Sequence, residues 1–165
     1  MATKDIEIEG KTITLCANGA TPHIFKRVFH KDLFKIVPDI LNIFSDRGIS
    51  LGEIIKSMET YEEMETDEGK QMMIQYADRL FPALSVAIEA GLPELLDEVA
   101  FVMAMQAEKD TSACLRLNDT NFIDWLVGFP PGAFLMKFMD IGKLYFSNIS
   151  TSSKPKNTVA PRQGK

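Results

Sequence analysis

The first pattern along this chain is alternation. Ile6-Glu7-Ile8-Glu9 and Thr12-Ile13-Thr14-Leu15 each alternate apolar with polar residues, and Gly10-Lys11 lies between them. Two period-2 runs joined by a two-residue loop that opens with Gly predict a β-hairpin over about residues 5–16. Ile6, Ile8, Ile13 and Leu15 share one of its faces. A lone hairpin is marginal in water, so that face should dock on helices.

After Asn18-Gly19 the apolar period lengthens. Thr21 offers a hydroxyl as helix N-cap, Pro22 suits the first helical position, and Phe25, Val28 and Phe29 recur at helical spacing. The stripe fails at Asp32, which predicts a helix end between His30 and Asp32, with Asp32 capping the next turn. Pro38 is read as opening a second helix through Ile40, Leu41 and Phe44, ending before Gly48. A short helix follows over residues 49–58. Six carboxylates fall within residues 59–68, the signature of a solvated loop or helix start.

A long helix is expected over residues 70–90, kinked or broken at Pro82 and ended by Gly91. Pro93 opens the next, striped by Leu95, Leu96, Val99 and Met103. Residues 111–118 read as a connection. Asp119 or Thr120 caps a short helix over 121–127 that Gly128 stops, and Pro130-Pro131 precedes a last helix over about 132–147. The fold class is thus mainly α (α+β), with an N-terminal β-hairpin packed on about five to seven helices. Residues 1–149 form a single domain. Residues 150–165, polar and rich in Ser, Thr, Pro and Lys, have little to bury and are expected to be a flexible, disordered tail.

Composition narrows the function classes. Of the 165 residues 45% are hydrophobic and 25% charged, as in an ordinary globular domain. No apolar run reaches the roughly 18 residues of a membrane span, and the N-terminus lacks the apolar core of a signal peptide, so no membrane partner is expected. The net charge of −5 is uneven. Lys154, Lys156, Arg162 and Lys165 occupy the tail without an acid, leaving 14 basic against 23 acidic residues, or −9, in the body. An acidic body repels phosphate backbones, so nucleic acid is not the expected main ligand. A regulatory DNA-binding reading of "FSDRGISLGEIIKSM" as a helix-turn-helix is weak, because its second helix carries only Lys56 as a base.

Catalytic and metal chemistry find little purchase. His23 and His30 stand seven residues apart, about 10.5 Å along a helix, whereas zinc ligands on one helix sit one turn apart. Cys16 and Cys114 have no CxxC partner and read as reduced thiols. A small cytosolic enzyme would need one of them to meet a histidine through folding, and no nucleophile motif or Gly-rich phosphate loop supports it. No catalytic residue, cofactor or metal is expected.

The last helix carries the strongest signal. Phe134, Phe138, Ile141 and Tyr145 form one stripe, with Leu135, Met139 and Phe146 beside it. Such a wide apolar arc is buried on most sides or touches two partners. Nine methionines in the chain suit a surface that repacks against a partner. Trp125, Phe129, Phe134, Phe138 and Met139 are the candidate partner-binding residues.

The segments "IEIEGKTITL", "ANGATPHIFKRVFHKDL" and "FIDWLVGF", followed by a polar tail, resemble the tail assembly chaperones of long-tailed bacteriophages and prophages. Relatives there carry Thr-Pro, then Tyr or Phe with Arg, then Phe-Gly-Lys-Asp-Leu; His30 here stands where Gly is usual, which agrees with a helix end. The resemblance covers about residues 5–33 well and 121–129 loosely. It implies a non-enzymatic protein that binds the tape-measure protein, keeps it soluble and promotes tail-tube assembly around it. The implied partners are the tape-measure protein, the tail-tube protein, a longer frameshifted form of the chain and further copies of it. The implied location is the host bacterial cytoplasm, outside the mature virion.

Overall fold

The computed structural model describes residues 2–50, 52–54, 56 and 67–152. The hairpin is present as β1 (Ala2–Ile8) and β2 (Lys11–Ala17), antiparallel with Ile8 opposite Lys11 and Ile6 opposite Ile13. Its turn is Glu9-Gly10 rather than Gly10-Lys11. Both residues have positive φ, 48° and 76°, as a type I′ turn demands, and glycine takes the larger value without strain. The pairing therefore slides by two residues from the expected register. An even slide preserves the faces. Ile6, Ile8 and Leu15 are buried and Ile13 half-buried on the shared side, while Asp5 and Thr14 join by a 2.6 Å hydrogen bond on the other.

α1 (Thr21–Phe29) follows. Its cap position is Ala20, with no side-chain cap, so the expected role of Thr21 is corrected. The Thr21 hydroxyl is drawn inward instead. It accepts from the Asn18 amide at 3.0 Å and donates to Gln106 Oε1 at 2.8 Å. The helix ends as expected, with His30 in the left-handed region at φ 55°. Asp32 then caps α2 (Leu33–Ser45), accepting from the Phe34 amide at 3.0 Å. Pro38 lies inside α2 and does not open it. The Asp32 cap starts the helix five residues earlier, and one missing amide is tolerated in a helix packed along its length.

Ser50 and Glu53 exchange hydrogen bonds in a capping box, and residues 52–54 are helical. The rest of the helix expected over 49–58 and the acidic stretch from 59 to 66 fall outside the described residues, apart from the helical Lys56. α3 (Asp67–Glu89) places Asp67 and Glu68 in its first turn and runs through Pro82 without a break. Gly91, at φ 99°, turns the chain into α4 (Leu92–Glu108). α5 (Thr111–Cys114) is a short helix within the expected connection. α6 (Asp119–Leu126) is capped by Asn118, not Asp119 or Thr120, through a reciprocal pair of hydrogen bonds with Asn121.

The last helix starts later than expected. Residues 130–134 are turn, Leu135–Lys137 a 3-10 helix, and α7 spans Phe138–Ser152. Phe134 thus precedes the helix. α7 enters the segment assigned to the tail; residues 153–165 lie outside the described residues.

α4 is the axis of the fold. A stripe of four residues was expected, yet every residue from Val99 to Gln106 is buried. α4 packs against β2 above all, and against α1, α3, α6 and α7. Aromatic rings extend from it. Phe101 meets Phe122 and Trp125 at 5.5 Å each, and Trp125 stacks on Phe134 at 5.1 Å with planes 22° apart. Lys11 ties the hairpin turn to this cluster, donating to the Gly128 carbonyl at 2.6 Å beside the Phe129 ring. Phe101→Ala is expected to cost about 3–5 kcal/mol through lost burial and an unfilled cavity, read as the shift in urea denaturation. A cost below about 1 kcal/mol would show that α4 is not the organising helix.

Candidate functional site

One side of the α4 axis is left partly open. Leu92, Leu95, Leu96 and Val99 of α4 face Leu33, Val37, Ile40, Leu41 and Phe44 of α2. Phe138, Ile141, Tyr145 and Phe146 of α7 close the third wall, and Ile54 contributes from the short helix. The helical period places these residues on one face of each helix. The result is a cleft of about 80 Å³ with an aliphatic and aromatic lining. Small-molecule sites usually offer about 300–1,000 Å³ and converging polar groups. This cleft has neither, and suits single apolar side chains presented by a partner. Burial pushes the Tyr145 phenol up, so it remains neutral.

An ion cluster marks one end of the cleft. Lys31, two residues before Leu33, donates to Glu98 Oε1 at 2.7 Å and to Glu94 Oε1 at 3.1 Å. Glu98 is 4% exposed, and its second oxygen is buried without a hydrogen-bond partner, as is Asp97 Oδ1. Burial raises the Glu98 carboxyl, although Lys31 opposes the shift; burial and the Glu94 charge raise Asp97 as well. Partial burial pulls Lys31 down, but its bonds to Glu98 and Glu94 outweigh that and leave it raised. The pair fixes the start of α2 against α4, and so sets the spacing of two cleft walls.

The five sequence candidates divide between two places. Trp125 and Phe129 are half-buried and Phe134 fully buried, all within the aromatic cluster beside Phe101. Phe138 lines the cleft. Met139 is half-buried against the core and does not reach the cleft lining. The α2 and α4 walls were missed as partner-binding positions. Their signal was present in Val37, Ile40 and Leu41, but their meeting with Leu95 and Phe146 depends on packing between helices far apart in the chain.

His23 and His30 are both exposed, whereas Cys16 and Cys114 are fully buried, so no histidine is placed to activate a thiol. Burial pushes both thiols up, away from the thiolate form. Among the described residues no group of three or more His, Cys, Asp or Glu is arranged to hold a metal ion, and no helix is long and apolar enough to cross a membrane. Half of the second helix of the helix-turn-helix reading, residues 51, 55, 57 and 58, lies outside the described residues. No protein-family model, curated protein or solved structure matches the chain.

The ion cluster gives a pH test. With its pKa raised in the folded state, Glu98 binds its proton at a higher pH when folded than when unfolded. Its contribution to stability therefore grows as pH falls from neutral towards the ordinary value of 4.5. Lys31→Met strands the Glu98 charge and is expected to cost about 1–3 kcal/mol at neutral pH. That cost should be smaller at pH 5 than at neutral pH, because the raised Glu98 carboxyl is closer to its neutral form there. Urea denaturation at both pH values measures it, and an equal cost at both would contradict the buried-charge account.

Proposed function

We propose that this protein is a phage tail assembly chaperone that binds the tape-measure protein, keeps it soluble and promotes tail-tube assembly around it. The observation that carries this reading is the apolar cleft bounded by α2, α4 and α7. Helical clients expose ridges of apolar side chains at i, i+3, i+4 and i+7, and a cleft of this size receives one side chain of such a ridge. A tape-measure protein is a long helical client of that kind, and without a cover its apolar ridges associate with one another.

Three further features support the reading. The cleft lacks the size and polar groups of a cofactor site, so its chemistry is that of packing. The net charge of −5 keeps a complex with an apolar client dispersed. The stretch from Ile6 to Leu33 that resembles the family also delivers Leu33 to the cleft, by way of the His30 turn and the Asp32 cap. In this proposal the protein works in the host bacterial cytoplasm, is absent from the finished virion, and also meets the tail-tube protein, a longer frameshifted form of itself and further copies of the chain.

Co-expression with the tape-measure protein tests it. The client is expected to move from the insoluble to the soluble fraction and to co-purify with the chaperone. Val37→Asp or Leu95→Asp, each placing a charge at a half-buried position of the cleft wall, should reduce the soluble client about tenfold with helical circular dichroism unchanged. A client insoluble with the wild-type protein overturns the function. Full rescue by both variants removes the cleft as its site.

A further inference from the structure

α3 has two apolar faces, and only one is covered. Ala83 and Ala87 are fully buried on the inner side. On the outer side Ile74, Phe81 and Ile88 are 71%, 66% and 38% exposed. Their spacing is seven residues each time, and the half-buried Ala77 and Leu84 fall between them at alternating steps of three and four. That is an unbroken 3.5-residue seam of five apolar positions, extending about 21 Å at 1.5 Å per residue. Pro82 and Ser85, both exposed, lie beside the seam and leave it intact.

A 3.5-residue repeat specifies its occupant by geometry. Knobs at such spacing fill holes on another α-helix lying nearly parallel or antiparallel to it, whereas a strand offers a period of two. Charge narrows the choice. α3 carries Asp67, Glu68, Asp78 and Glu89 against Lys70 and Arg79. Arg79 is already engaged, donating to Glu53 at 3.3 Å and to the Gly48 carbonyl. The seam is therefore bordered by an acidic excess. A second copy would bring the same excess against itself, and an anionic lipid surface would be repelled.

We infer that the outer face of α3 docks a partner helix that has its own heptad seam and carries Lys or Arg at the flanking positions. This surface is distinct from the α2–α4–α7 cleft and does not depend on the function proposed for it. Ile74, Phe81 and Ile88 supply the apolar anchors. Asp78 and Glu89 select against acidic partners and steer basic ones.

The probes are three synthetic peptides of about three heptads. One has Leu at both seam positions and Lys at the flanks, one has Glu at the flanks, and one keeps the Lys composition with the seam order scrambled. Fluorescence anisotropy against the full chain is expected to show binding of the first and about tenfold weaker binding of the other two. Phe81→Ser and Ile74→Ser, which leave the charge unchanged, should each weaken the first peptide about tenfold with the thermal melt preserved. Val37→Asp in the cleft should leave that binding intact, which separates failure of this inference from failure of the cleft reading. Equal binding of the ordered and scrambled Lys peptides overturns the inference, and so does unchanged binding to both serine variants. Sedimentation that shows a dimer of the wild-type chain lost on Phe81→Ser would assign the seam to a second copy and overturn it equally.

Discussion

The fold depends on the enclosure of α4 between Glu98 and Gln106, where every residue is buried. A helix hydrophobic all round cannot face solvent, so the hairpin, α1, α6 and α7 must gather about it. Apolar burial alone leaves their orientation loose. Two buried polar residues at the two ends of the enclosed run remove that freedom. Gln106 receives the Thr21 hydroxyl and donates to Asn18 Oδ1 at 2.9 Å. Glu98 receives Lys31. Eight residues separate Glu98 from Gln106, about 12 Å of helix, and α1 with its His30 turn spans a similar length in the opposite sense. The two contacts therefore set α1 antiparallel to α4 in one register. A slip by one residue would strand a buried amide and a buried carboxylate together.

This arrangement explains where the protein is closed and where it is open. Between Glu98 and Gln106 the hairpin, α1 and the aromatic cluster enclose α4. On the other side of Glu98, towards Leu92, α2 and α7 face it across a cleft. Lys31 stands at the boundary. The turn that carries it is made by a residue in the left-handed conformation, His30, and by an N-cap, Asp32, whose carboxyl is held low chiefly by the hydrogen bond from Lys26, joined by the Phe34 amide. Local backbone chemistry thus delivers the cation that ties the start of α2 to α4.

Most local contacts were legible, although the hairpin turn and the Asn118 cap each lay one residue from the expected place. The alternation of the hairpin, the His30 break, the Asp32 cap, and Gly91 followed by Pro93 all depend on neighbours within a few residues, and all stand in the structure. Competition from a better partner defeated other readings, at long range or close by. Thr21 looks like a cap until Gln106, 85 residues away, claims its hydroxyl. Pro38 looks like a helix start until the Asp32 cap sets an earlier one. The stripe read on α4 understated it, although the uninterrupted run from Val99 to Met105 was the available sign that no polar face exists there. For the candidate site the last-helix aromatics were legible as important. Their division between core and cleft was not, because the late start of α7 leaves Phe134 in a turn against Trp125 and puts Phe138 in the helix that lines the cleft.

The cleft and the α3 seam ask for different things of a partner. The cleft is irregular, walled by three helices with Ile54 added from the short helix and with aromatic rings from α2 and α7, so it tolerates varied side chains without imposing a period. The α3 seam is regular and selects by spacing and charge. Both adjoin the same pair of helices, since α3 packs on α2 and α4 while those two also form cleft walls. Arg79 fastens α3 to Gly48, at the end of α2, and to Glu53 in the helix that supplies Ile54 to the cleft. The two surfaces therefore share supporting helices but no lining residue, with Ile74, Phe81 and Ile88 on one and the α2, α4 and α7 walls on the other.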